Sequence, residues 1–402
     1  MSRKITKTGI LLRVAIAIIM LSVIILCSFA ACTPEVDEAL PWPSRLMCAD
    51  GLTLTWQAPE GKQETDEYIV KSNGKEVARV SEEKFTASEL PDDVNEVTVS
   101  LLRDGMQSKD CEAFVYILKG SNNVTYLVEN GKAKASFDCS DFPDDYAEDV
   151  VVQSVYNGFY VNEADGIYVR DSKLVLPDSI EIISSLAIDE PLKEFILPKN
   201  LKDATGIDTG CEAFKISEEN ETFRVEDGVL YSKDMQRLEA FPACKQAKEY
   251  DMPDSVKFID RPIISDDCSV ARITLSKNLD MHDSAEDPNL FSIFGFSEII
   301  IPANIDIGAC LTDAEKIIIE EGVTAFTGAL LVTNTEDFLD HTIILPTTLQ
   351  TLQKNIPDIE VNFWGEALFI DGGTFTIIAE NNKYISSWQQ WQKGFTVITE
   401  EE

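Results

Sequence analysis

A short apolar pattern recurs along the C-terminal half of this chain and constrains its fold more than any other feature of the sequence. Seven segments align, and they begin at Leu174, Phe195, Tyr250, Ile273, Ile299, Ile317 and Ile343. In each segment the first and third residues are apolar, the fourth is most often proline, and the seventh is Ile, Leu or Val. Where segments follow one another directly, their starts lie 21, 23, 26, 18 and 26 residues apart. Such intervals are typical of one coil in a repeat protein.

The spacing predicts how each coil folds. Two apolar residues separated by one position point to the same side of a short strand. Proline then ends the ladder because it has no N–H to donate, and the apolar residue three positions later folds back into the same interior. One coil cannot bury its apolar face alone, so neighbouring coils must stack. The predicted repeat core consists of Leu174, Leu176, Ile180, Phe195, Leu197, Leu201, Tyr250, Met252, Val256, Ile273, Leu275, Leu279, Ile299, Ile301, Ile305, Ile317, Ile319, Val323, Ile343, Leu345 and Leu349.

The long interval between Phe195 and Tyr250 contains a further strand start at Phe214 and an Asp227-Gly228 dipeptide that predicts a hairpin insertion. Residues 164–168 (ADGIY) echo the DGVLY sequence of that hairpin. This succession resembles the BspA-like leucine-rich repeats of bacterial surface proteins. Trp388 and Trp391 near the end of the chain resemble the aromatic closure of the last coil in that family. The resemblance implies a leucine-rich-repeat solenoid over residues 166–398, including a C-terminal cap, with an adhesin-like surface for protein or glycan binding.

A different pattern precedes the repeats. Over residues 44–119 apolar residues alternate with polar ones, as in Leu52, Leu54 and Trp56, and Asn73-Gly74 suits a two-residue hairpin turn. Trp56 is expected in a core rather than on a ligand surface. The order of these elements resembles a fibronectin type III domain, which implies a β-sandwich that serves as a spacer or a protein-binding module. Residues 120–165, with a predicted hairpin at Asn130-Gly131, are expected to cap the N-terminal end of the solenoid.

The N-terminus has the pattern of an export signal. Residues 1–31 combine basic residues with an uncharged apolar run from Val14 to Leu26. The run ends in the sequence FAAC, residues 29–32, which resembles the lipobox of bacterial lipoproteins and implies lipidation of Cys32. A plain secretory signal and an uncleaved anchor remain as alternatives. Residues 32–43 then form a tether, and the protein is expected at the cell membrane or cell surface, facing outward.

Composition excludes several classes of function. The chain carries 34 basic and 70 acidic side chains, a formal charge of -36, which opposes binding to nucleic acid. Only two histidines occur, and no P-loop, GxGxxG, HExxH, GxSxG or EF-hand pattern is present. We therefore predict no enzyme activity, no catalytic residues, no cofactor and no metal site.

Seven cysteines follow Cys32, and none forms a CxxC pair. Most are expected to be small buried hydrophobic residues, and the sequence leaves open whether one or two disulfides form among them.

The sequence as a whole predicts a mainly β, lipid-anchored surface protein that binds a protein or glycan through its repeats. The alternative is a structural or assembly factor of the cell envelope without an external ligand.

Overall fold

The computed structural model describes residues 35–141, 149–170, 173–259, 261–265, 270–280, 290–303, 309–323, 325–326, 329–332, 341–349, 351–352, 375–378 and 395–398. The predicted signal segment, Cys32, Ile305, Trp388 and Trp391 lie outside these ranges. The described residues form thirty-seven strands, β1 to β37, and two 3-10 turns at Ala87–Glu89 and Cys139–Asp141. The expectation of a mainly β chain is therefore confirmed.

Nine strands build an N-terminal module. They are β1 (Glu35–Val36), β2 (Ser44–Met47), β3 (Thr53–Gln57), β4 (Glu67–Ser72), β5 (Lys75–Val80), β6 (Lys84–Thr86), β7 (Val94–Arg103), β8 (Met106–Gln107) and β9 (Phe114–Ile117). One sheet has the order β2-β3-β6 and the other the order β1-β8-β7-β4-β5, with β9 also paired to β7. Asn73 and Gly74 join β4 to β5 with φ values of 50° and 74°, as the turn chemistry predicts.

Both sheets of this module contribute to one core. Leu54 comes from the smaller sheet, while Val70 and Phe114 come from the larger one. Trp56 is 5% exposed, and its ring meets the ring of Tyr68 edge-on with 5.3 Å between centroids. Trp56 is therefore a core residue, as predicted.

Fourteen strands follow between residues 125 and 240. They are β10 (Thr125–Glu129), β11 (Lys132–Asp138), β12 (Val150–Val151), β13 (Val155–Tyr156), β14 (Phe159–Val169), β15 (Leu174–Val175), β16 (Ile182–Ile183), β17 (Leu186–Leu192), β18 (Phe195–Ile196), β19 (Ile207–Cys211), β20 (Phe214–Lys215), β21 (Phe223–Glu226), β22 (Val229–Ser232) and β23 (Arg237–Ala240). Strands β11, β14, β17 and β19 pair in parallel, and β10 adds to β11 as the predicted hairpin.

The Asp-Gly dipeptides at residues 165–166 and 227–228 adopt different structures. Asp227 and Gly228 have positive φ and join β21 to β22 as an antiparallel hairpin. Gly166 also has positive φ, but it lies inside β14, which stays paired in parallel with β11 and β17. The echo at residues 164–168 therefore forms no hairpin, because neighbouring strands hold β14 in the sheet. Strand β14 also crosses the expected cap boundary at residue 165 without interruption.

The remaining strands lie between residues 249 and 398. They are β24 (Glu249–Asp251), β25 (Phe258–Ile259), β26 (Ile263–Ile264), β27 (Arg272–Thr274), β28 (Leu290–Phe294), β29 (Glu298–Ile301), β30 (Ala309–Thr312), β31 (Lys316–Ile319), β32 (Ala325–Phe326), β33 (Ala329–Val332), β34 (His341–Ile344), β35 (Thr351–Leu352), β36 (Phe375–Ile378) and β37 (Phe395–Ile398). Strands β24, β27, β29, β31, β34, β36 and β37 form a parallel seven-stranded sheet, and β26, β28, β30 and β33 form a second parallel sheet.

The aligned segments determine the register of the seven-stranded sheet. Tyr250 pairs with Ile273, which pairs with Ile299, and the same column continues through Ile317 and Ile343. These first residues of five segments are all buried, because each fills the space above the equivalent residue of the preceding coil. Of the predicted repeat-core residues, Leu174 is half-buried, Ile305 lies outside the described ranges, and the others are buried.

The N-terminal module and the repeat region are joined by direct contacts. The backbone N–H of Asp178 donates to the carbonyl of Val115 at 3.1 Å, and the N–H of Ser154 donates to the carbonyl of Ile117 at 2.9 Å. The ring of Tyr160 lies against Gly51, where an added Cβ would come within 2.7 Å of the ring. Strand β9 therefore lies directly against the first coils of the repeat region.

Candidate binding surface

The seven-stranded sheet has an inner and an outer face because side chains alternate along each strand. The first and third residues of each segment, such as Ile299 and Ile301, point into the core. The residues between and before them point outward and are exposed or half-buried, as at Glu298 and Ile300. Repetition in register arranges these outward residues in two columns that run along the stack.

The first outward column carries charges of alternating sign. Glu249, Arg272, Glu298 and Lys316 are register partners on four successive strands. Arg272 forms ion pairs with Glu249 and Glu298, and Lys316 Nζ lies 2.9 Å from Glu298 Oε2. Each such pair at a partly exposed site contributes about 0.2–1 kcal/mol, so the column supports the stack modestly and leaves a polar, charge-balanced stripe.

The second outward column is aliphatic. Ile300, Ile318 and Ile344 are register partners on β29, β31 and β34, and all three are half-buried. Toward the N-terminal end the column continues with Thr274 and Asp251, so the apolar part lies over the later coils. An apolar stripe beside a charged stripe is the composition found in protein interfaces, where apolar contacts supply affinity and charges supply specificity.

Hydroxyl groups in the turns after the strands fix the spacing between coils. Ser179 Oγ donates to the carbonyl of Val161 at 2.8 Å, and Ser276 Oγ donates to that of Val256 at 2.6 Å. Each bond joins segments 18 and 20 residues apart, respectively, and supplies a hydroxyl donor to a backbone carbonyl. The turns therefore hold the sheet as a preformed surface.

Asn220 joins two coils through a buried side chain that makes four hydrogen bonds. In the coil that begins at Phe214 it stands at the seventh position, where the aligned segments have Ile, Leu or Val. Its Nδ2 donates to the carbonyls of Lys199 and Leu201, and its Oδ1 accepts from the N–H groups of Thr222 and Phe223. The side chain is 3% exposed, so its amide satisfies four backbone groups inside the repeat region.

Asp178 connects the N-terminal module to two coils. Its Oδ2 accepts from the Val115 N–H, and its Oδ1 accepts from the Lys199 N–H, both at 2.6 Å. Burial raises the pKa of this carboxyl group to about 6, although the two backbone hydrogen bonds act in the opposite direction. A buried acid with two backbone donors is a connector between modules rather than a surface charge.

Metal-ligating side chains and cysteines are placed as follows in the described part of the chain. Within the described ranges, no three His, Cys, Asp or Glu side chains are placed to share a metal ion. Cys48 and Cys111 are buried free thiols, and burial raises the pKa of Cys48 to about 12 and that of Cys111 to about 11. Such thiols are poor nucleophiles at neutral pH.

The apolar pattern of the sequence predicts the interior of the repeats but not their outer face. The predicted core residues position the two outward columns without belonging to them. One sequence signal was available for the charged column, because the residue before the segments at Tyr250, Ile273, Ile299 and Ile317 alternates between acidic and basic. The buried roles of Asn220 and Asp178 have no comparable signal.

Comparison with known proteins gives only distant likenesses. No family model and no curated protein matches the chain. Among solved structures, the pneumococcal vaccine antigen PcpA is 13% identical, with 71% of this chain and 98% of that chain covered and a TM-score of 0.34. A leucine-rich repeat protein from Eubacterium ventriosum is 12% identical, with 58% and 82% covered and a TM-score of 0.20. A leucine-rich cell surface protein from Faecalibacterium prausnitzii is 16% identical, with 52% and 55% covered and a TM-score of 0.25. At TM-scores this low, none of these likenesses establishes a shared fold.

No helix among the described residues is both long enough and apolar enough to cross a membrane.

Proposed function

We propose that this chain is an exported, non-catalytic surface protein that binds a macromolecule through the outer face of its seven-stranded sheet. In this proposal the N-terminal module is a fibronectin type III-like sandwich, and the repeats form a BspA-like leucine-rich-repeat solenoid. Cys32 carries a lipid that anchors the protein at the cell surface. The ligand is a protein or a glycan of a host or neighbouring cell, so the role is that of an adhesin.

The observation that carries the proposal is the paired aliphatic and charged columns on one preformed face. An isoleucine row that faces outward leaves apolar area in water, which favours association with a partner. The neighbouring charges are already paired along the stack, so they can contribute to recognition without a large unfavourable rearrangement. The face is broad and open, which suits a macromolecule better than a small substrate.

The test compares two isoleucine substitutions in the soluble chain from Thr33 onward. Ile318→Asp places a charge within the aliphatic column, whereas Ile196→Asp changes an isoleucine that is 69% exposed on a different sheet. Beads coated with each variant are scored for attachment to matrix proteins and to cells. We expect Ile318→Asp to abolish attachment and Ile196→Asp to leave it intact. Equal attachment by the two variants would exclude the outer face as the binding site.

Deletion of the gene distinguishes the adhesin from an envelope factor. Loss of attachment with an intact envelope supports the proposal, whereas a defect in envelope integrity with normal attachment replaces it with the structural role.

The lipid anchor at Cys32 has a separate test. Mass spectrometry of the mature N-terminus is expected to show a diacylated Cys32, and Cys32→Ala is expected to release the protein into the medium; an unmodified terminus overturns the lipid anchor alone.

A further inference from the structure

A cleft lies where the N-terminal module meets the repeat region, away from the seven-stranded sheet. Its volume is about 540 Å³, which falls within the roughly 300–1,000 Å³ that small-ligand sites occupy. One wall comes from β2 and β3 and includes Arg45 and Trp56. The other wall comes from Tyr160 of β14 and from the turns of three successive coils, around Glu181, residues 199–202 and residues 219–222.

The two walls are held in place by contacts on both sides of the cleft. Asp178 fixes β9 to the first two coils through its bonds to Val115 and Lys199. On the other side, the backbone N–H of Arg45 donates to Glu219 Oε1 at 3.1 Å. The cleft is therefore formed before any ligand arrives, which reduces the entropic cost of binding.

The charges that line the cleft are balanced and already paired. Lys202 Nζ lies 2.8 Å from Glu181 Oε1, and Arg45 Nη1 lies 3.4 Å from a carboxylate oxygen of Glu221. Hydrogen bonds from Lys202 and Lys132 outweigh the effect of burial on Glu181, so the pKa of its carboxyl group is below its ordinary value and the group stays ionised.

The third pair, Lys199 with Glu219, is the most buried of the three. Lys199 is 6% exposed, and its Nζ lies 2.7 Å from Glu219 Oε2. Every charge of the lining already has a partner, so a charged ligand would give up its own hydration without finding a free counter-charge in the cleft. The cleft therefore disfavours a charged ligand of either sign.

The two outer pairs leave hydrogen-bonding capacity for a neutral ligand. Lys199 Nζ and Glu219 Oε2 are themselves closed to solvent, so a ligand meets the pairs Lys202–Glu181 and Arg45–Glu221 at the rim. An ammonium group has three donors and a carboxylate about four acceptor sites, so one ion pair does not use all of them. A hydroxyl group both donates and accepts, so a neutral ligand rich in hydroxyls can bond to both members of a rim pair without separating them.

The cleft also has an apolar lining. Leu46, Trp56 and Leu201 are buried beneath the polar rim, and Tyr160 is half-buried. A sugar ring presents C–H groups on its faces and hydroxyls around its edge, and this distribution matches an apolar floor with a polar rim. From this geometry we infer that the cleft between the two modules binds a neutral carbohydrate of one to three sugar units.

A peptide fits the cleft less well. The natural way for a peptide to bind here is as an added strand on β2, which is an edge strand of its sheet. Arg45 interrupts that edge, because it has a φ of 53°, lies in a register irregularity between β2 and β3, and donates its N–H to Glu219. The ladder that a peptide strand needs is therefore absent on this part of β2.

Matched pairs of sugars test the inference on the soluble chain from Thr33 onward. Lactose is compared with 3′-sialyllactose, and triacetylchitotriose with the deacetylated glucosamine trimer, by calorimetric titration. We expect at least one neutral sugar to bind, and its charged counterpart to bind about tenfold more weakly or not at all. Absence of binding by both neutral sugars, equal binding of the charged ones, or saturable binding of a neutral peptide in the cleft overturns the inference.

Substitutions locate the site. Thr222→Trp fills the cleft from the repeat side and Gln57→Trp fills it from the module side, so a folding defect in one still leaves the other. Both are expected to reduce sugar binding at least about tenfold, and survival of binding in a folded variant overturns the inference. Lys202→Met removes a rim donor and is expected to weaken binding, whereas Lys277→Met, which removes an exposed lysine paired with Asp254 elsewhere, is expected to have no effect.

The inference goes beyond the proposed function, because the cleft and the outer sheet face are separate. Ile318→Asp is expected to abolish cell attachment and to leave sugar titrations unchanged. The two claims can therefore fail independently.

Discussion

Asn220 offers the sharpest test of how the coils are held together. Substitution with Ala removes an amide that bonds the carbonyls of Lys199 and Leu201 and the N–H groups of Thr222 and Phe223, over distances of 2.7 to 2.9 Å. All four backbone groups then lose a partner in a region that water reaches poorly, since the side chain is 3% exposed.

The magnitude follows from the count of bonds. At about 0.5–1.5 kcal/mol each, four hydrogen bonds give an expected loss of about 4 kcal/mol in the free energy of unfolding. Asn278→Ala provides the control, because Asn278 is exposed and makes one inter-coil bond, to the carbonyl of Asp254 at 2.8 Å. Its substitution is expected to cost at most about 1 kcal/mol.

The assay is guanidinium chloride denaturation of the chain from Thr33 onward, followed by far-UV circular dichroism. A third variant makes the test stricter. Asn220→Leu restores the apolar residue of the repeat pattern but supplies no hydrogen bonds, and we expect it to lose about 2 kcal/mol or more. If Asn220→Leu were as stable as the wild type, or if Asn220→Ala cost no more than Asn278→Ala, the hydrogen-bond argument would be refuted.

Three further outcomes are expected. Gly206→Ala should lower the free energy of unfolding by about 3 kcal/mol in thermal denaturation, because the new Cβ would lie 1.9 Å from the carbonyl carbon of Ser184 on the preceding coil. Gly158→Ala is the control, since it has open space and a φ of +81° and should cost about 1 kcal/mol. Equal costs for the two variants would contradict the steric argument. Glu298→Lys should place three cations in one column and cost about 1 kcal/mol, a loss that should shrink in high salt if it is electrostatic. Asp178 has a pKa of about 6 in the folded protein against an ordinary 3.8, so its contribution to stability is present below pH 4 and is lost as the pH rises through 6. Relative to Asp178→Asn, the wild type should lose about 3 kcal/mol in the free energy of unfolding between pH 4 and pH 8. Parallel stability curves for the two proteins over this pH range would contradict the raised pKa.

The parts of the fold that depend on local chemistry could be predicted from the sequence. Asn73-Gly74 and Asn130-Gly131 form the expected hairpins, because both residues of such a turn must adopt positive φ and few other pairs tolerate it. The buried column from Tyr250 to Ile343 could also be predicted, because repetition of one apolar position determines which residues stack.

The parts that depend on contacts between distant segments could not be predicted. Asn220 looks like a break in the repeat pattern, and only its position between two coils shows that it replaces an apolar residue with hydrogen bonds. Gly166 follows an aspartate in the same way as Gly228, but the neighbouring strands of its sheet decide its structure. The cleft joins residues more than a hundred positions apart, so no local pattern marks it.

The buried carboxyl group of Asp178 affects whether the N-terminal module and the repeat region move as one. Its carboxyl group is buried and makes no described ion pair, a placement that raises its pKa and costs free energy when the group is charged. The two backbone donors, one from each side of the junction, offset only part of that cost, because the pKa remains raised. If the N-terminal module swung away, water would replace the Val115 N–H as a partner and the burial of the carboxyl group would be relieved. The junction is therefore held most firmly at low pH, where the closed arrangement buries a neutral carboxyl group, and ionisation above about pH 6 favours its opening.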